Sequence, residues 1–251
     1  MPPSAGWWEG GGLSGGRRAN DGGMRSAIAV MAKAPLPGLA KTRLCPPLRF
    51  REAADLARAF LLDTLDTVNT APAIDPFIAY TPREEEALFR SACPRRFGLI
   101  PQPEGDLGVR LARTAEALFS SGYGRVLLLG SDIPHLPSRA LRDGLSRLEG
   151  ADITLGPCED GGYYLVGMRR PVPAIFAGIP WSTADVLACT LARARTAGCT
   201  VALLAPAYDL DRVGDLARLA GELRRGVIGG RCRRTEAALA RLAPRIREAV
   251  A

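Results

Sequence analysis

The feature that most constrains the fold is a regular alternation of short β-rich runs with helical stretches from Met24 onward. Strands are predicted at residues 26–32, 76–81, 97–100, 125–130, 153–156, 163–168 and 200–205. Helices are predicted at residues 49–69, 82–91, 106–121, 138–148, 183–197, 211–224 and 234–250. This alternation predicts an α/β fold with helices on both faces of a mostly parallel sheet. Ligands of such sheets bind at the carboxyl ends of the strands, so functional residues are expected in the loops that follow strands.

Length and composition predict one domain with two atypical ends. A chain of 251 residues that is 47% hydrophobic and 24% charged is globular in composition, and no apolar run is long enough to cross a bilayer. Residues 1–23 hold eight glycines and no apolar periodicity, which predicts a disordered leader and a natural start at Met24. Residues 24–223 are the predicted domain, and residues 224–251 are predicted to form an Arg-rich helical tail on its surface. Six cysteines without a CxxC pair indicate reduced thiols and a cytoplasmic location.

The formal charge of +7 is concentrated at the C-terminal end of the chain. Residues 221–251 carry a net +5, residues 1–23 are neutral, and the remaining residues carry only +2. The domain therefore lacks the basic surface of a nucleic-acid-binding protein, and no nucleic-acid partner is predicted. Nucleic-acid binding through the tail remains the alternative, and it would require an affinity that falls steeply with salt.

The loop after the first strand concentrates cations. Of the 33 basic residues 31 are arginine, and the only two lysines, Lys33 and Lys41, both lie on this loop beside Arg43. Prolines stiffen the loop, and Gly38 allows the backbone to come close to a ligand. Three cations on a stiff loop at a strand end are typical of a polyphosphate-binding site, with Thr42 beside them. The alternative is a solvated cationic loop; neither a P-loop nor a GxGxxG motif is present.

Two further segments carry acidic residues at strand ends. Asp132 follows the apolar strand at residues 125–130, a position from which a carboxylate can hold Mg²⁺ or Mn²⁺ against a diphosphate, or cap a turn. Asp209 and Asp211 have i, i+2 spacing, which places both on one side of an extended chain, where they can share a cation. Asp211 can equally serve as a helix N-cap. His135 is left outside the site as a structural residue.

The remaining candidate residues suit a sugar or another small acceptor. An Asp-Gly-Gly-Tyr segment can form a hairpin turn, but its glycines also allow an acceptor to approach the backbone beside an acid. A Trp-Ser-Thr segment precedes a predicted helix, where a hydroxyl can cap the helix or the helix N-terminus can face an anion. The residues concerned are Asp160, Gly161, Gly162, Tyr163, Trp181, Ser182 and Thr183.

The order of these motifs resembles the DUF2064 family, whose members are also labelled selenodomain- or arsenosugar-associated glycosyltransferases. The resemblance covers about residues 24–223 and rests on Met-Ala-Lys-Ala-Pro-x-Pro-Gly-x-Ala-Lys-Thr-Arg-Leu, Gly-Ser-Asp-Ile-Pro-x-Leu, Gly-Pro-x-x-Asp-Gly-Gly-Tyr-Tyr-Leu-Val-Gly, Trp-Ser-Thr and Tyr-Asp-Leu-Asp. It implies the GT-A, or nucleotide-diphospho-sugar transferase, fold: a three-layer α/β/α sandwich around a mostly parallel mixed sheet. Phospholactate and phosphoenolpyruvate guanylyltransferases are more distantly similar.

The resemblance implies a metal-dependent transferase with a nucleotide-diphosphate donor, foremost a glycosyltransferase acting on a small-molecule acceptor. The donor or an NTP would bind the cationic loop, and Mg²⁺ or Mn²⁺ would bind Asp132, with Asp209 and Asp211 as further ligands. Asp160 would orient an acceptor hydroxyl or act as a base. The alternatives are a nucleotidyltransferase that joins an NTP to a phosphorylated or carboxylate acceptor, and a non-catalytic nucleotide-binding module. Two departures bear on this choice: the glycosyltransferase Asp-x-Asp is reduced to Ser131-Asp132, and the nucleotidyltransferase Gly-Gly-x-Ser/Thr-x-Arg-Met-Gly loop is missing.

Overall fold

A computed structural model describes residues 24–71 and 73–250, so the leader predicted at residues 1–23 lies outside the described residues. The described chain forms a seven-stranded sheet with the strand order β3-β2-β1-β4-β6-β5-β7. The strands are β1 (Ser26–Lys33), β2 (Asp75–Thr81), β3 (Gly98–Pro101), β4 (Arg125–Gly130), β5 (Ile153–Pro157), β6 (Tyr163–Met168) and β7 (Val201–Leu203). Strand β6 runs antiparallel to β4 and β5, and the other pairs are parallel. The predicted mixed, mostly parallel sheet is confirmed.

Helices cover both faces of this sheet. The α-helices of the described residues are α1 (Phe50–Asn69), α2 (Glu86–Ala92), α3 (Leu107–Ser120), α4 (Arg139–Arg147), α5 (Val186–Thr196), α6 (Val213–Arg224) and α7 (Arg233–Val250). Side chains alternate along β1, as expected for a strand buried on both sides. Ile28 and Val30 share a core with α1, α2 and α4, whereas Ala27 and Ala29 share a core with α3 and α5. The three-layer α/β/α sandwich predicted from the sequence is therefore present.

The C-terminal helix α7 is packed into the molecule rather than appended to its surface. Ala238, Leu239 and Ile246 are buried in a third apolar cluster with residues of α1 and α6. The carboxylate of Asp63 in α1 is buried and accepts hydrogen bonds from the first turn of α7. The sequence-based expectation of an appended surface helix was wrong in this respect. The helix is rich in arginine, but its apolar side packs against α1 and α6.

None of the helices in residues 24–71 and 73–250 combines the length and hydrophobicity that crossing a bilayer requires.

Candidate active site

Three loops meet at the carboxyl ends of β1 and β4, which are adjacent parallel strands. Lys33 is the last residue of β1 and Lys41 lies on the loop that follows, the loop after β4 carries Asp132, and the segment after β7 carries Asp211. The backbone N–H of Leu210 donates to the carbonyl oxygen of Asp132 over 3.1 Å and ties the third segment to the second. The four charged residues line one cavity of about 290 Å³. The candidate phosphate-binding residues therefore share one cavity with Asp132 and Asp211, two of the three candidate metal ligands.

Lys41 lies at the centre of this site, between two carboxylates. Its Nζ is 2.6 Å from Oδ1 of Asp211 and 3.0 Å from Oδ2 of Asp132, and only 7% of its side chain is exposed. Burial alone would lower the pKa of Lys41, but the two carboxylates more than offset burial, and the pKa is raised. Lys41 is thus a buried ammonium held by acids, where the loop sequence predicts an exposed cation.

The other residues of the predicted phosphate loop are open to solvent. Lys33 and Thr42 are exposed and line the same cavity as Lys41. The Nη1 of Arg43 is 3.2 Å from Oδ2 of Asp211, and most of the Arg43 side chain is exposed. Lys33 makes no ion pair within residues 24–71 and 73–250. An anion that enters the cavity therefore meets Lys33, which is exposed and has no ion pair among the described residues, Arg43, which is exposed but paired, and Lys41, which is buried and paired.

The pKa values of Asp209 and Asp211 are shifted in opposite directions. Burial, assisted by the neighbouring carboxylates of Asp211 and Asp160, raises the pKa of Asp209 to about 6. Burial alone would also raise the pKa of Asp211, but Lys41 and Arg43 lower it below its ordinary value. Negative charge is therefore compensated at Asp211 and remains uncompensated around Asp209.

A divalent cation fits the chemistry of this cluster. Carboxylate oxygens are the hard donors that Mg²⁺ and Mn²⁺ prefer. Burial, with a smaller contribution from neighbouring carboxylates, raises the pKa of Asp209, so a nearby cation would favour its charged form. Within the described part of the chain, no three His, Cys, Asp or Glu side chains already stand together as a metal-binding group. Lys41 contacts both Asp132 and Asp211, so an ion at these residues would have to share them with the ammonium or displace it.

The Asp-Gly-Gly motif forms the turn between β5 and β6. Oδ1 of Asp160 accepts a hydrogen bond of 2.9 Å from the backbone N–H of Gly162, and the Asp160 side chain is exposed. Gly161 has a φ of 89°, and a Cβ at this position would lie 2.1 Å from the carbonyl oxygen of Ala184. The Gly161 carbonyl also accepts from the N–H of Leu187 over 2.8 Å. A residue without a side chain is required where the turn meets the start of α5.

The predicted acceptor residues lie on the two sides of this contact. The rings of Tyr163 and Trp181 form an edge-to-face pair with centroids 6.3 Å apart. Ser182 has a left-handed backbone with a φ of 67°, and the hydroxyl of Thr183 donates to a backbone carbonyl three residues earlier over 2.8 Å. Because this turn occupies the Thr183 hydroxyl, helix α5 begins at Val186 and not at residue 183 as predicted.

Sequence reasoning missed a layer of side chains behind the acids. Arg218 in α6 donates to both carboxylate oxygens of Glu159, over 2.7 and 3.0 Å, and its guanidinium carbon lies 3.7 Å from the ring centroid of Tyr208. The ring of His135 packs against Tyr208 as well, with centroids 4.4 Å apart. These contacts hold the neighbours of the candidate acids at residues 160 and 209. One arginine among 31 carries no signal in a single sequence that would mark it for this role.

Comparisons with known proteins are consistent with this geometry. The DUF2064 model, described as "Uncharacterized protein conserved in bacteria", matches residues 64–183. No curated protein matches the chain. Among solved structures, the chain is similar to a "putative nucleotide-diphospho-sugar transferase" from Desulfovibrio desulfuricans G20. The two are 34% identical with a TM-score of 0.82, over 89% of this chain and 97% of the other.

Two more distant structures share the fold. One is 4-diphosphocytidyl-2C-methyl-D-erythritol synthase from Anaerococcus prevotii DSM 20548, with 11% identity and a TM-score of 0.56 over 80% of this chain and 96% of the other. The second is CMP:2-keto-3-deoxy-manno-octonic acid synthetase complexed with CTP, with 13% identity and a TM-score of 0.52 over 80% and 99%. At these identities the likeness shows the fold alone. The chain belongs to the DUF2064 family and has the nucleotide-diphospho-sugar transferase fold that its motifs predict.

Proposed function

We propose that this protein is a metal-dependent transferase that takes a nucleotide-diphosphate donor and moves a glycosyl group to a small-molecule acceptor. The observation that carries the proposal is the convergence of Lys33, Lys41 and Arg43 with Asp132 and Asp211 in one cavity at the carboxyl ends of β1 and β4. Such a cavity offers cations for a diphosphate and carboxylates for a cation, at the edge where α/β sheets bind ligands. The likeness to a transferase over most of the chain supports the same reaction class.

The protein's own cations would bind and orient the donor. Lys33 and Arg43 are exposed at the cavity, so their charged groups can contact phosphate oxygens without a change in the core. Charge-assisted contacts of this kind contribute about 1.5–3 kcal/mol each. The Asp160 turn borders the acid cluster, and the free oxygen of the Asp160 carboxylate would accept a hydrogen bond from the acceptor hydroxyl. Gly161, Gly162, Tyr163 and Trp181 would form the wall of the acceptor subsite, together with Ser182 and Thr183.

Asp132, Asp209 and Asp211 would hold Mg²⁺ or Mn²⁺, and the ion would supply charge stabilisation to the leaving diphosphate. Asp132→Asn removes one negative charge from the donor set without changing the size of the side chain. We therefore expect metal-stimulated turnover to collapse in this variant, while metal-free donor binding is preserved. Retention of wild-type turnover at every Mn²⁺ concentration would exclude Asp132 as a metal ligand.

The test is a thermal-shift panel of nucleotide sugars and NTPs, each with and without Mn²⁺, followed by product analysis for the ligands that stabilise the protein. A glycosyltransferase should be stabilised by a nucleotide sugar and release a nucleoside diphosphate when the acceptor is added. Release of pyrophosphate from an NTP would identify nucleotidyl transfer instead, the alternative for which two enzymes of the same fold provide the precedent. Stabilisation without turnover would identify a nucleotide-binding module.

The remaining properties of the molecule agree with a small-molecule enzyme. In α7, Arg234 and Arg245 pair with acidic residues of α1, so part of the tail's positive charge is compensated within the fold, which does not favour a nucleic-acid partner. All six cysteines are free thiols, which supports a cytoplasmic location.

A further inference from the structure

The ammonium of Lys41 occupies the space between two carboxylates that the proposed function assigns to a divalent ion. Its distances of 2.6 Å to Asp211 and 3.0 Å to Asp132 are those of direct ion pairs, and the side chain is almost fully buried. An ion at both acids would have to share the carboxylates with this ammonium, against the repulsion between two adjacent cations, or displace it. Two of the three N–H donors of the ammonium face the carboxylates, so at most one is left for a diphosphate unless Lys41 leaves a carboxylate.

The backbone at Lys41 is held in a conformation that a residue with a Cβ rarely adopts. Its φ of 51° and ψ of 37° place it in the left-handed region, directly before the short 3₁₀ turn at Thr42–Leu44. Such conformations persist where surrounding contacts enforce them, and they are concentrated at ligand sites and switch regions. At Lys41 the surrounding contacts include the two ion pairs of the side chain and a hydrogen bond of 3.0 Å that its backbone carbonyl accepts from the N–H of Leu44.

We propose that Lys41 is a placeholder cation, which leaves Asp132 and Asp211 when a divalent ion binds and then pairs with the donor diphosphate. This inference rests on the proposed function and specifies how the two ligands of that site depend on each other. The exchange makes and breaks no covalent bond, and the ammonium keeps its charge throughout. A single positive charge leaves the acids, a double positive charge replaces it, and the released ammonium compensates the arriving diphosphate.

Placeholder exchange predicts that metal and donor bind cooperatively. Metal alone must displace Lys41 without a phosphate to receive it. Donor alone must take Lys41 from Asp132, which then has no ion pair among the described residues, and from Asp211, which keeps only Arg43. When both ligands bind, each lowers the free-energy cost of separating Lys41 from its carboxylates for the other. Each ligand should therefore raise the affinity for the other by the same factor.

The decisive experiment measures Mn²⁺ affinity without nucleotide, by the electron paramagnetic resonance signal of free Mn²⁺. Lys41→Met removes the ammonium from both acids and leaves Arg43 on Asp211. We expect this variant to bind Mn²⁺ about 5- to 150-fold more tightly than the wild type, the usual range of site coupling. Lys33→Met is the matched control, since it removes the same charge from the same cavity but breaks no ion pair of the described residues. Its Mn²⁺ affinity should stay within about twofold of the wild type. Adding Asp132→Asn to Lys41→Met should abolish the gain.

Equal Mn²⁺ affinities in the Lys41→Met and Lys33→Met variants would overturn the placeholder role. A second measurement avoids any risk that Lys41→Met misfolds, because the chain has only two lysines and amine acylation can be followed at each by mass spectrometry. In the wild type, saturating Mg²⁺ should accelerate acylation of Lys41 and leave the rate at Lys33 unchanged. An unchanged Lys41 rate would also reject the proposal. Failure of the proposed function has a different signature: no nucleotide stabilises the wild type at any metal concentration, whatever the Mn²⁺ affinities.

Discussion

Lys33, at the end of β1, and Lys41, on the following loop, line one cavity, but their environments are opposite. Lys33 is exposed and has no ion pair in the part of the chain that the structure describes, whereas Lys41 is buried between two acids. The composition indicated that both lysines are special, because the chain otherwise uses arginine. Burial of one of them could not be predicted, since its two acidic partners lie far away in the sequence. The same substitution should therefore have different effects at the two positions.

Lys33→Ala should weaken donor binding by about 1.5–3 kcal/mol, the contribution of a charge-assisted contact, and leave the melting temperature unchanged. Lys41→Ala should weaken donor binding as well, and should lower the free energy of unfolding by about 1–3 kcal/mol, because Asp132 loses its ion pair and the partly buried Asp211 keeps only Arg43. Lys41→Arg should also impair binding, because the enclosed space suits a compact ammonium rather than a planar fork. Calorimetric titration and thermal melts check both effects. Wild-type affinity in both alanine variants would place the phosphate site elsewhere.

Asp209 should make the stability of the protein depend on pH in a direction opposite to that of a salt-bridged acid. Its folded-state pKa of about 6 lies above the ordinary value of 3.8, so the folded state binds the proton more tightly than the unfolded state. The contribution of Asp209 to stability is therefore lost as the pH rises from about 4 through 6. Asp209→Asn cannot ionise, and at pH 8 we expect it to be more stable than the wild type by about 1 kcal/mol, after allowance for solvent screening.

Melting curves in metal-free buffer at pH 4 and pH 8 check this prediction. The gain from Asp209→Asn should be present at pH 8 and absent at pH 4, where the native carboxyl is protonated. Asp55→Asn is a suitable control, because Asp55 is exposed on α1 and has no ion pair among the described residues. Equal effects of the two substitutions at both pH values would show that the acid cluster exerts no repulsion on Asp209.

At the scale of elements, one buried acid of α1 caps the first turn of α7, beside the apolar contacts between the two helices. Asp63 is 1% exposed and accepts hydrogen bonds from the backbone N–H groups of Arg234 (3.2 Å) and Thr235 (2.8 Å). The first N–H groups of a helix lack partners within the helix, so an acid from a neighbouring helix satisfies them as an N-cap residue would. Asp66 pairs with the Arg234 side chain but is exposed.

Asp63→Ala should lower the free energy of unfolding by about 2–3 kcal/mol, because it leaves buried N–H groups without an acceptor. Asp66→Ala removes a carboxylate that contacts the same arginine from the exposed side, and its cost should stay below about 1 kcal/mol. Chemical denaturation of the two variants provides the comparison. Similar losses in both would mean that the ion pair with Arg234, rather than the cap on α7, is the stabilising contact.

The elements themselves were predictable where local signals agreed with the tertiary structure. The strand at residues 125–130 is observed as β4 with the same bounds, because an uninterrupted apolar run in an α/β chain has few alternatives. The predicted start of α5 was too early. In the sequence, a Ser-Thr pair looks the same whether it caps a helix or forms a turn before one. The structure has a turn at Thr183 and a close approach of Gly161 to Ala184, and neither can be read from the pair.

At the scale of the whole molecule, the third apolar cluster connects the C-terminal helix to the candidate site. It contains Leu44, directly after Arg43, and Leu210, which lies between Asp209 and Asp211. Leu239 and Ile246 of α7 belong to the same cluster. Leu44, next to the cationic residue Arg43, and Leu210, between the two acids, are therefore buried in the same apolar cluster as α7.

Leu239→Ala should lower the free energy of unfolding by about 2–4 kcal/mol, the usual cost of emptying a buried leucine site. Arg241→Ala, an exposed position on the same helix, should change it by less than about 0.5 kcal/mol. Removal of residues 230–251 should cost more than Leu239→Ala and should also weaken donor binding, because Leu44 and Leu210 would lose their cover. A truncated protein with wild-type melting temperature and donor affinity would contradict this role of α7.

The fold class followed from periodicity, and the family followed from motifs that are local in sequence. The strand order could not be derived from periodicity, because the sequence near β6 carries no signal that this strand lies between β4 and β5. Within the candidate site, the residue types and their loops were predictable from strand ends. The ion pairs of Lys41 and the layer of Arg218, Glu159 and Tyr208 were not, since each joins residues that lie far apart in the chain.

His135, the single histidine of the chain, is buried against Tyr208, and burial lowers its pKa to about 4. The imidazole that most proteins use to respond to mild acidification is thus kept neutral here. In metal-free buffer, a limb near pH 6 in the pH profile of the melting temperature should therefore report a carboxyl of the acid cluster, with Asp209 as the group that titrates there. Histidine-directed acylation should leave that limb in place, and Asp209→Asn should shift or remove it.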